Sequence, residues 1–236
     1  MFKIWSKSLF AIASGLAIVS PAQAGTVTLA DTQDSWVYEF LGTTSGATLS
    51  SFFPGIIAVG DDSPHVLNSF VEFGGLATSG LTAAEVSSAT LTLTVGANAG
   101  FGPSPSASAP VTVDVSGAAS AWDSSVTWET QPAAATPPGL VAQQTDSDPS
   151  VATLTFNVTS LVDAWLNGSL VNNGFILTQD NAGTQSLTFD SMSASGGQPV
   201  LTINTVPEPG SLALVCLALG TFGLWRVVRR RDAPIA

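Results

Sequence analysis

Four tryptophans, Trp36, Trp122, Trp128 and Trp165, and two close pairs of aspartates are the residues of this sequence best equipped for chemistry. A sugar ring stacks its C–H face on an indole, so an exposed tryptophan is a natural glycan contact. Trp36 and Trp122 are the candidate contacts. Trp128 closes the short polar segment that Trp122 opens, and with Trp165 it fits a packing role better. Asp61, Asp62, Asp146 and Asp148 lie in turn-like stretches where backbone carbonyls complete an oxygen shell, which makes them candidate calcium ligands. None of these stretches matches a full calcium-loop spacing. The same pairs are the raw material of glycoside hydrolysis, but an acidic chain offers such pairs by chance. His65, the sole histidine, follows a turn with no serine and aspartate arranged to form a triad. No residue is assigned a catalytic role.

The charge distribution narrows the functions open to the chain. All six basic residues are terminal: Lys3, Lys7, Arg226, Arg229, Arg230 and Arg231. Of the 17 acidic residues, 15 fall between Gly25 and Thr205, a stretch with no Lys or Arg. Nucleic-acid binding is excluded, because it depends on cations neutralising phosphates. Direct cationic clamping of any acidic polymer is excluded for the same reason. The one cysteine, Cys216, lies outside that stretch, so no disulfide framework or thiol chemistry operates within it. Calcium would relieve the repulsion among these carboxylates and would bridge the domain to an anionic glycan.

Both ends carry apolar segments. Lys3 and Lys7 precede an apolar run, Leu9 to Val19, and Pro21-Ala22-Gln23-Ala24 ends in a small-x-small pattern. This predicts a signal peptide over residues 1–24, cut by signal peptidase between Ala24 and Gly25. At the other end Val206-Pro207-Glu208-Pro209-Gly210 precedes a second apolar run, Leu212 to Trp225. Arg226, Arg229, Arg230 and Arg231 then act as a stop that stays in the cytoplasm while the acidic middle is exported. Pro207-Glu208-Pro209, an apolar helix and a terminal Arg cluster together resemble the PEP-CTERM sorting signal, here residues 206–236. That resemblance implies export in a Gram-negative bacterium that makes exopolysaccharide. It also implies a transient inner-membrane anchor and removal of the helix by an exosortase.

The middle alternates with period two. Ala89, Leu91, Leu93 and Val95 interleave with threonines, as do Ala152, Leu154, Phe156 and Val158 with Thr153, Thr155 and Asn157. Val111, Val113 and Val115, then Leu187 and Phe189, then Leu201 and Ile203, repeat the pattern. Such alternation marks strands with one buried and one wet face. Turn signals separate them at residues 60–64, 96–102, 137–139 and 196–197. One segment reads as a helix: Ser160-Leu161-Val162-Asp163 has capping-box form, Trp165 and Leu166 continue the apolar face, and Asn167-Gly168 stops it. The expectation is one all-β domain over residues 25–205, a jelly-roll β-sandwich with one short helix.

An ordered series of segments is similar to the DNRLRE domain, a jelly-roll module of secreted and surface proteins. It comprises Ala30-Asp31-Thr32, Val66 to Phe73, Ser88 to Leu93, Ala121 to Trp128 with Gln131-Pro132, Asn157 to Gly168, Asn173 to Leu177, Phe189-Asp190-Ser191 and Pro199 to Ile203. Some relatives are carbohydrate-binding modules for acidic polysaccharide such as alginate. This chain departs from the pattern twice. Asn68 and Ser69 stand in the strand where a basic residue is usual, and Ser191-Met192-Ser193 replaces a Ser-x-Glu element. The resemblance therefore implies the fold more firmly than the ligand. The sequence reads as an exported, exosortase-sorted surface or matrix protein, non-catalytic and associated with extracellular polysaccharide. The alternatives are a polysaccharide-degrading enzyme and a structural protein with no glycan ligand.

Overall fold

Eleven strands and two short α-helices run along the described residues: β1 (Gly25–Ala30), β2 (Gln33–Tyr38), α1 (Gly46–Phe52), β3 (Ile56–Asp61), β4 (Val66–Glu72), β5 (Val86–Thr94), β6 (Val111–Gly117), β7 (Leu140–Asp146), β8 (Thr153–Asn157), α2 (Thr159–Leu166), β9 (Phe175–Gln179), β10 (Ser186–Asp190) and β11 (Val200–Thr205). The structure is a computed structural model that describes residues 24–61, 65–148, 150–180 and 183–206. The signal peptide, Asp62, Pro207, Glu208, Pro209 and the Arg226–Arg231 cluster lie outside the described residues. Among the described residues no helix is long and apolar enough to cross a membrane.

All pairing is antiparallel, and the strands form two sheets. The smaller has the order β1-β11-β5-β8; the larger runs β10-β3-β4-β9-β6-β7, with β2 also on β4. Along β4 one edge is taken by β2 from Leu67 to Glu72, while the other passes from β3 at Val66 and Leu67 to β9 at Ser69 to Val71. Where β3 leaves, the Ser69 hydroxyl donates to the Ala58 carbonyl at 2.6 Å. Gly25 pairs with Thr205, so the two ends of the domain emerge side by side.

The threonine-rich alternation does what its period requires. In β5 the residues Ala89, Leu91 and Leu93 are fully buried, and they meet Leu201 and Ile203 of β11 and Leu154 and Phe156 of β8. On the other face Thr90, Thr92 and Thr94 stand beside Thr202, Thr155 and Thr153, cross-strand β-branched pairs that suit a solvated sheet. The facing sheet contributes Leu67, Val71, Val111, Val113, Val115, Phe175 and Leu177, and both sets belong to one core.

Two helical expectations are corrected. The predicted helix exists as α2, burying Leu161, Val162 and Trp165, but Ser160 and Asp163 do not form its capping box. Asn157 serves that end instead: its Oδ1 accepts the Thr159 amide at 3.1 Å and the Thr159 hydroxyl at 2.7 Å. That hydroxyl in turn accepts the Ala89 amide at 2.9 Å, tying α2 to β5. The other correction is a second helix, α1. Ser45 caps it by accepting the Thr48 amide at 3.3 Å. The carbonyls of Val126 and Ser124 take the free amides of Gly46 and Ala47 at 2.8 and 2.6 Å. Gly46 fits there because a Cβ would collide with the Ser35 side chain.

Candidate functional site

The outer face of the larger sheet carries its own apolar patch. Val37 of β2, Phe70 of β4 and Ile176 of β9 are buried there with Ala118 and Val126, and Trp122 and Trp128 pack against them, partly exposed. These residues come together because the segment after β6 folds back across the sheet. Its stem is fixed by backbone bonds: Ala118 to Gly174 at 2.9 Å, Ala119 to Ala133 at 2.9 Å and Ala135 to Gly117 at 2.8 Å. Its tip is held by the Trp128 amide donating to Gly42 at 3.1 Å. A loop bonded this densely to strand backbone presents its side chains in one arrangement.

Trp122 sits at one side of the patch. Its indole N–H donates to the Asn173 carbonyl at 2.8 Å, its ring lies 5.4 Å from that of Phe70, and its carbonyl accepts from Gln33 Nε2 at 2.9 Å. The exposed part of the ring borders an open recess of about 320 Å³ with Ala121, Asp123, Ser125, Val126 and Thr130. Asp123 is held below the usual carboxylate range by the hydroxyl and then the amide of Ser125, so it stays charged.

Trp128 walls a second recess of about 400 Å³, floored by Ile176 and rimmed by Asn68, Gln131, Ser116 and Thr178. The amides form a chain: Asn68 donates to Gln131 Oε1, and Gln131 Nε2 donates to the Trp128 carbonyl, both at 2.9 Å. An apolar floor, an aromatic wall and fixed amides and hydroxyls at the rim are the elements of a sugar subsite. Further along the same face Gln143 donates to Asp114 at 2.7 Å and to Asp180 at 3.2 Å. Burial holds Asp114 above its usual range, against the Gln143 bond and with help from the Asp180 charge.

The other aromatic candidates are elsewhere. Trp36 is fully buried, with Phe53 and Phe101 edge-on at 5.8 and 5.1 Å. No sugar reaches it without unpacking the core, so its candidacy as a glycan contact is withdrawn. Trp165 packs on Phe175 at 4.9 Å in the role expected of it. His65 lies tilted against Phe40 at 4.8 Å and edge-on to Tyr38 at 6.1 Å, in an aromatic contact.

Asp61 ends β3, Asp146 ends β7 and is buried, and Asp148 follows in an exposed turn with Oδ1 accepting from the amide and hydroxyl of Ser150 at 2.9 and 2.8 Å. Those two bonds hold Asp148 below its usual range, while burial raises Asp146. Among the described residues no three His, Cys, Asp or Glu side chains cluster to hold a metal. Sequence reasoning missed a different pair. Asp31 and Asp34 lie where β1 turns into β2; burial first, then the Asp34 charge, pushes Asp31 up to about 7. Asp34 is also raised by burial, against a bond from the Met192 amide. With both ionised, neither Asp31 oxygen has a donor; a proton held between the two carboxyls supplies one.

Two family models match the sequence. Carbohydrate-binding module family 96 covers residues 25–205, and the PEP-CTERM protein-sorting motif covers residues 205–231. The search of curated proteins returns no match. The sorting motif makes this an exported protein directed by an exosortase to the cell envelope or surface. Its described strands form the β-sandwich of a glycan-binding module, and the chain belongs to carbohydrate-binding module family 96.

Proposed function

We propose that the protein is a non-catalytic component of the cell surface or extracellular matrix that binds neutral stretches of exopolysaccharide along the outer face of its larger sheet. Signal peptidase at Ala24–Gly25 and the exosortase at Pro207-Glu208-Pro209 process its two ends, with the C-terminal helix as a transient membrane anchor. The observation that carries the reading is the pair of recesses walled by Trp122 and Trp128 on one rigid loop. Asn68, Gln131, Ser116 and Thr178 offer the second recess donors and acceptors at fixed positions.

Charge argues for a neutral ligand. With no Lys or Arg from residue 8 to 225, and with Asp114, Asp123 and Asp180 on or beside the face, an anionic chain meets only like charge. The non-catalytic reading is supported by the composition of the recesses. One carboxylate, Asp123, lines the first and none lines the second, whereas glycoside hydrolysis ordinarily places two carboxyls across the scissile bond.

The test is calorimetric titration of the full chain in detergent with soluble neutral and acidic polysaccharides, each with calcium and with chelator. The expected result is saturable binding to a neutral polymer, indifferent to chelator. Trp128→Ala and Trp122→Ala each weaken it about tenfold, the loss of roughly 1.4 kcal/mol of ring contact. Phe52→Ala, an exposed ring on α1, leaves it unchanged. Binding that survives both tryptophan variants, binding confined to acidic polymers, or no binding at all overturns the reading.

A further inference from the structure

A domain with no lysine or arginine has no side-chain ammonium or guanidinium with which to neutralise its buried carboxylates. On the surface, water does that work; inside, an unpaired charge is costly. Asp146 is such a group, only 2 % exposed. It pairs with Val111 across β6 and β7, on the face that β6 turns toward the core. Its Oδ1 accepts the Asp148 amide at 2.9 Å, but its Oδ2 is out of water with no partner.

Asp146 lines a cavity of about 200 Å³ between the end of β7, the start of β10 and the loop after β5. Ser186, 3 % exposed, lines the same cavity, and its hydroxyl also has no partner. Two buried oxygens from different strands thus share one polar space with nothing to bond.

The surroundings are fixed and rich in oxygen. Asn98 donates to the Gly102 carbonyl and to the Ser104 hydroxyl, both at 3.0 Å, and Thr188 donates to the Ala97 carbonyl at 2.6 Å. Beside the apolar Val95, Ala97, Pro105 and Leu187, the polar side chains lining the cavity carry carboxylate, hydroxyl and amide groups, with no imidazole, thiol or amine. Such a set selects a hard cation. The volume corresponds to about seven waters at roughly 30 Å³ each, room for an ion with part of its hydration shell. An irregular site of this size suits calcium, which accepts six to eight oxygens in flexible geometry, better than magnesium, which needs a near-ideal octahedron.

We propose that this cavity is a calcium site, with Asp146 and Ser186 supplying side-chain oxygens and water completing the shell. A single buried carboxylate places it among weak extracellular sites, with Kd on the order of 10⁻⁴ to 10⁻³ M.

The test is titration of the full chain in detergent with calcium chloride and, separately, magnesium chloride, by calorimetry and by thermal unfolding. Calcium is expected to bind saturably and raise Tm by about 5–10 °C at a hundredfold excess over Kd. Asp146→Asn abolishes the response, Ser186→Ala weakens it several-fold, and Asp114→Asn, an acid on the opposite face, leaves it intact. If Asp146→Asn fails to fold, Ser186→Ala decides alone. Absence of calcium-dependent heat and Tm change, affinity unchanged in the variants, or an equal response to magnesium overturns the site. Each of those results leaves a water-filled cavity and screened surface acids.

Discussion

Replacing Asp31 by asparagine tests a strongly perturbed group of the domain. Its carboxyl is pushed from 3.8 to about 7, chiefly by burial and then by the charge of Asp34. A carboxyl with a raised pKa holds its proton more tightly folded than unfolded, so stability is highest below the unfolded value, about pH 4. It declines as pH rises and levels off above about pH 7. A rise of that size corresponds to about 4 kcal/mol at full strength, and screening by nearby solvent brings the working figure to about 2 kcal/mol. For a domain of this length that is roughly 4–8 °C in Tm between pH 4 and pH 7. The substituted asparagine keeps the shape, carries no charge and offers its amide to Asp34, doing permanently what the shared proton does only in acid. Urea unfolding of wild type and Asp31→Asn at half-unit steps from pH 4 to 8, in chelator, measures this directly. The variant is expected to show a flatter profile and to exceed wild type in stability at pH 8. A wild-type profile that rises from pH 5 to 8, or a variant with undiminished slope, would refute the account.

Two further substitutions separate packing from binding. Trp36→Ala empties a fully buried site between Phe53 and Phe101, so unfolding should be easier by about 3–5 kcal/mol. Glycan affinity at a temperature where the variant remains folded should be unchanged, as titration would show. Gly174→Ala strikes the turn into β9 that supports Trp122. Gly174 has φ of 80°, and a Cβ would press on the Val71 carbonyl and on Glu72. The expected cost is about 2–3 kcal/mol by urea midpoint. Glycan affinity should fall too, because the Asn173 carbonyl that holds the Trp122 indole must move.

Much of this fold is legible in the sequence where a strand has one wet face. β5, β6 and β8 alternate because threonines and polar groups face solvent while Leu91, Val113 and Phe156 face the core. β3 and β9 hide from that test: Ile56-Ile57-Ala58-Val59 and Phe175-Ile176-Leu177 are nearly continuous apolar runs, covered on both sides. The helix α1 escapes for another reason. Its short run, with no apolar stripe, is held by a serine cap and by two carbonyls from a loop far along the chain. Trp36 and Trp122 illustrate the limit for the site. Trp36 stands opposite Ser69, whose side chain faces inward, whereas Val37 pairs with Asn68 on the outer face. A one-residue difference in register decides which of the two joins the inner core and which the outer patch beneath Trp122, and composition does not carry register.

The carboxylates show how a domain without cations keeps its fold. Glu85, Asp123 and Asp148 each sit in a turn where Thr82, Ser125 or Ser150 supplies a hydroxyl and an amide, and all three are held below their usual range. Asp31, Asp34, Glu72, Asp114, Asp146 and Asp163 lie on the other side, raised first of all by burial. The first group keeps the outside of the domain negative down to low pH, and short-range neutral donors do the work that salt bridges do elsewhere. The second group makes the folded state a proton acceptor in mild acid. Between them they define the surroundings that suit the protein. Protons relieve the buried acids without touching the turn acids, so mild acid steadies the fold while the surface stays anionic. An anionic polymer is therefore held off by Coulomb repulsion that salt screens within about 10 Å, whereas a neutral glycan on Trp122 and Trp128 ignores it. Affinity for a neutral polymer should accordingly be flat from about 20 to about 500 mM salt; a steep decline would mean that charge, and not the tryptophan face, carries the binding.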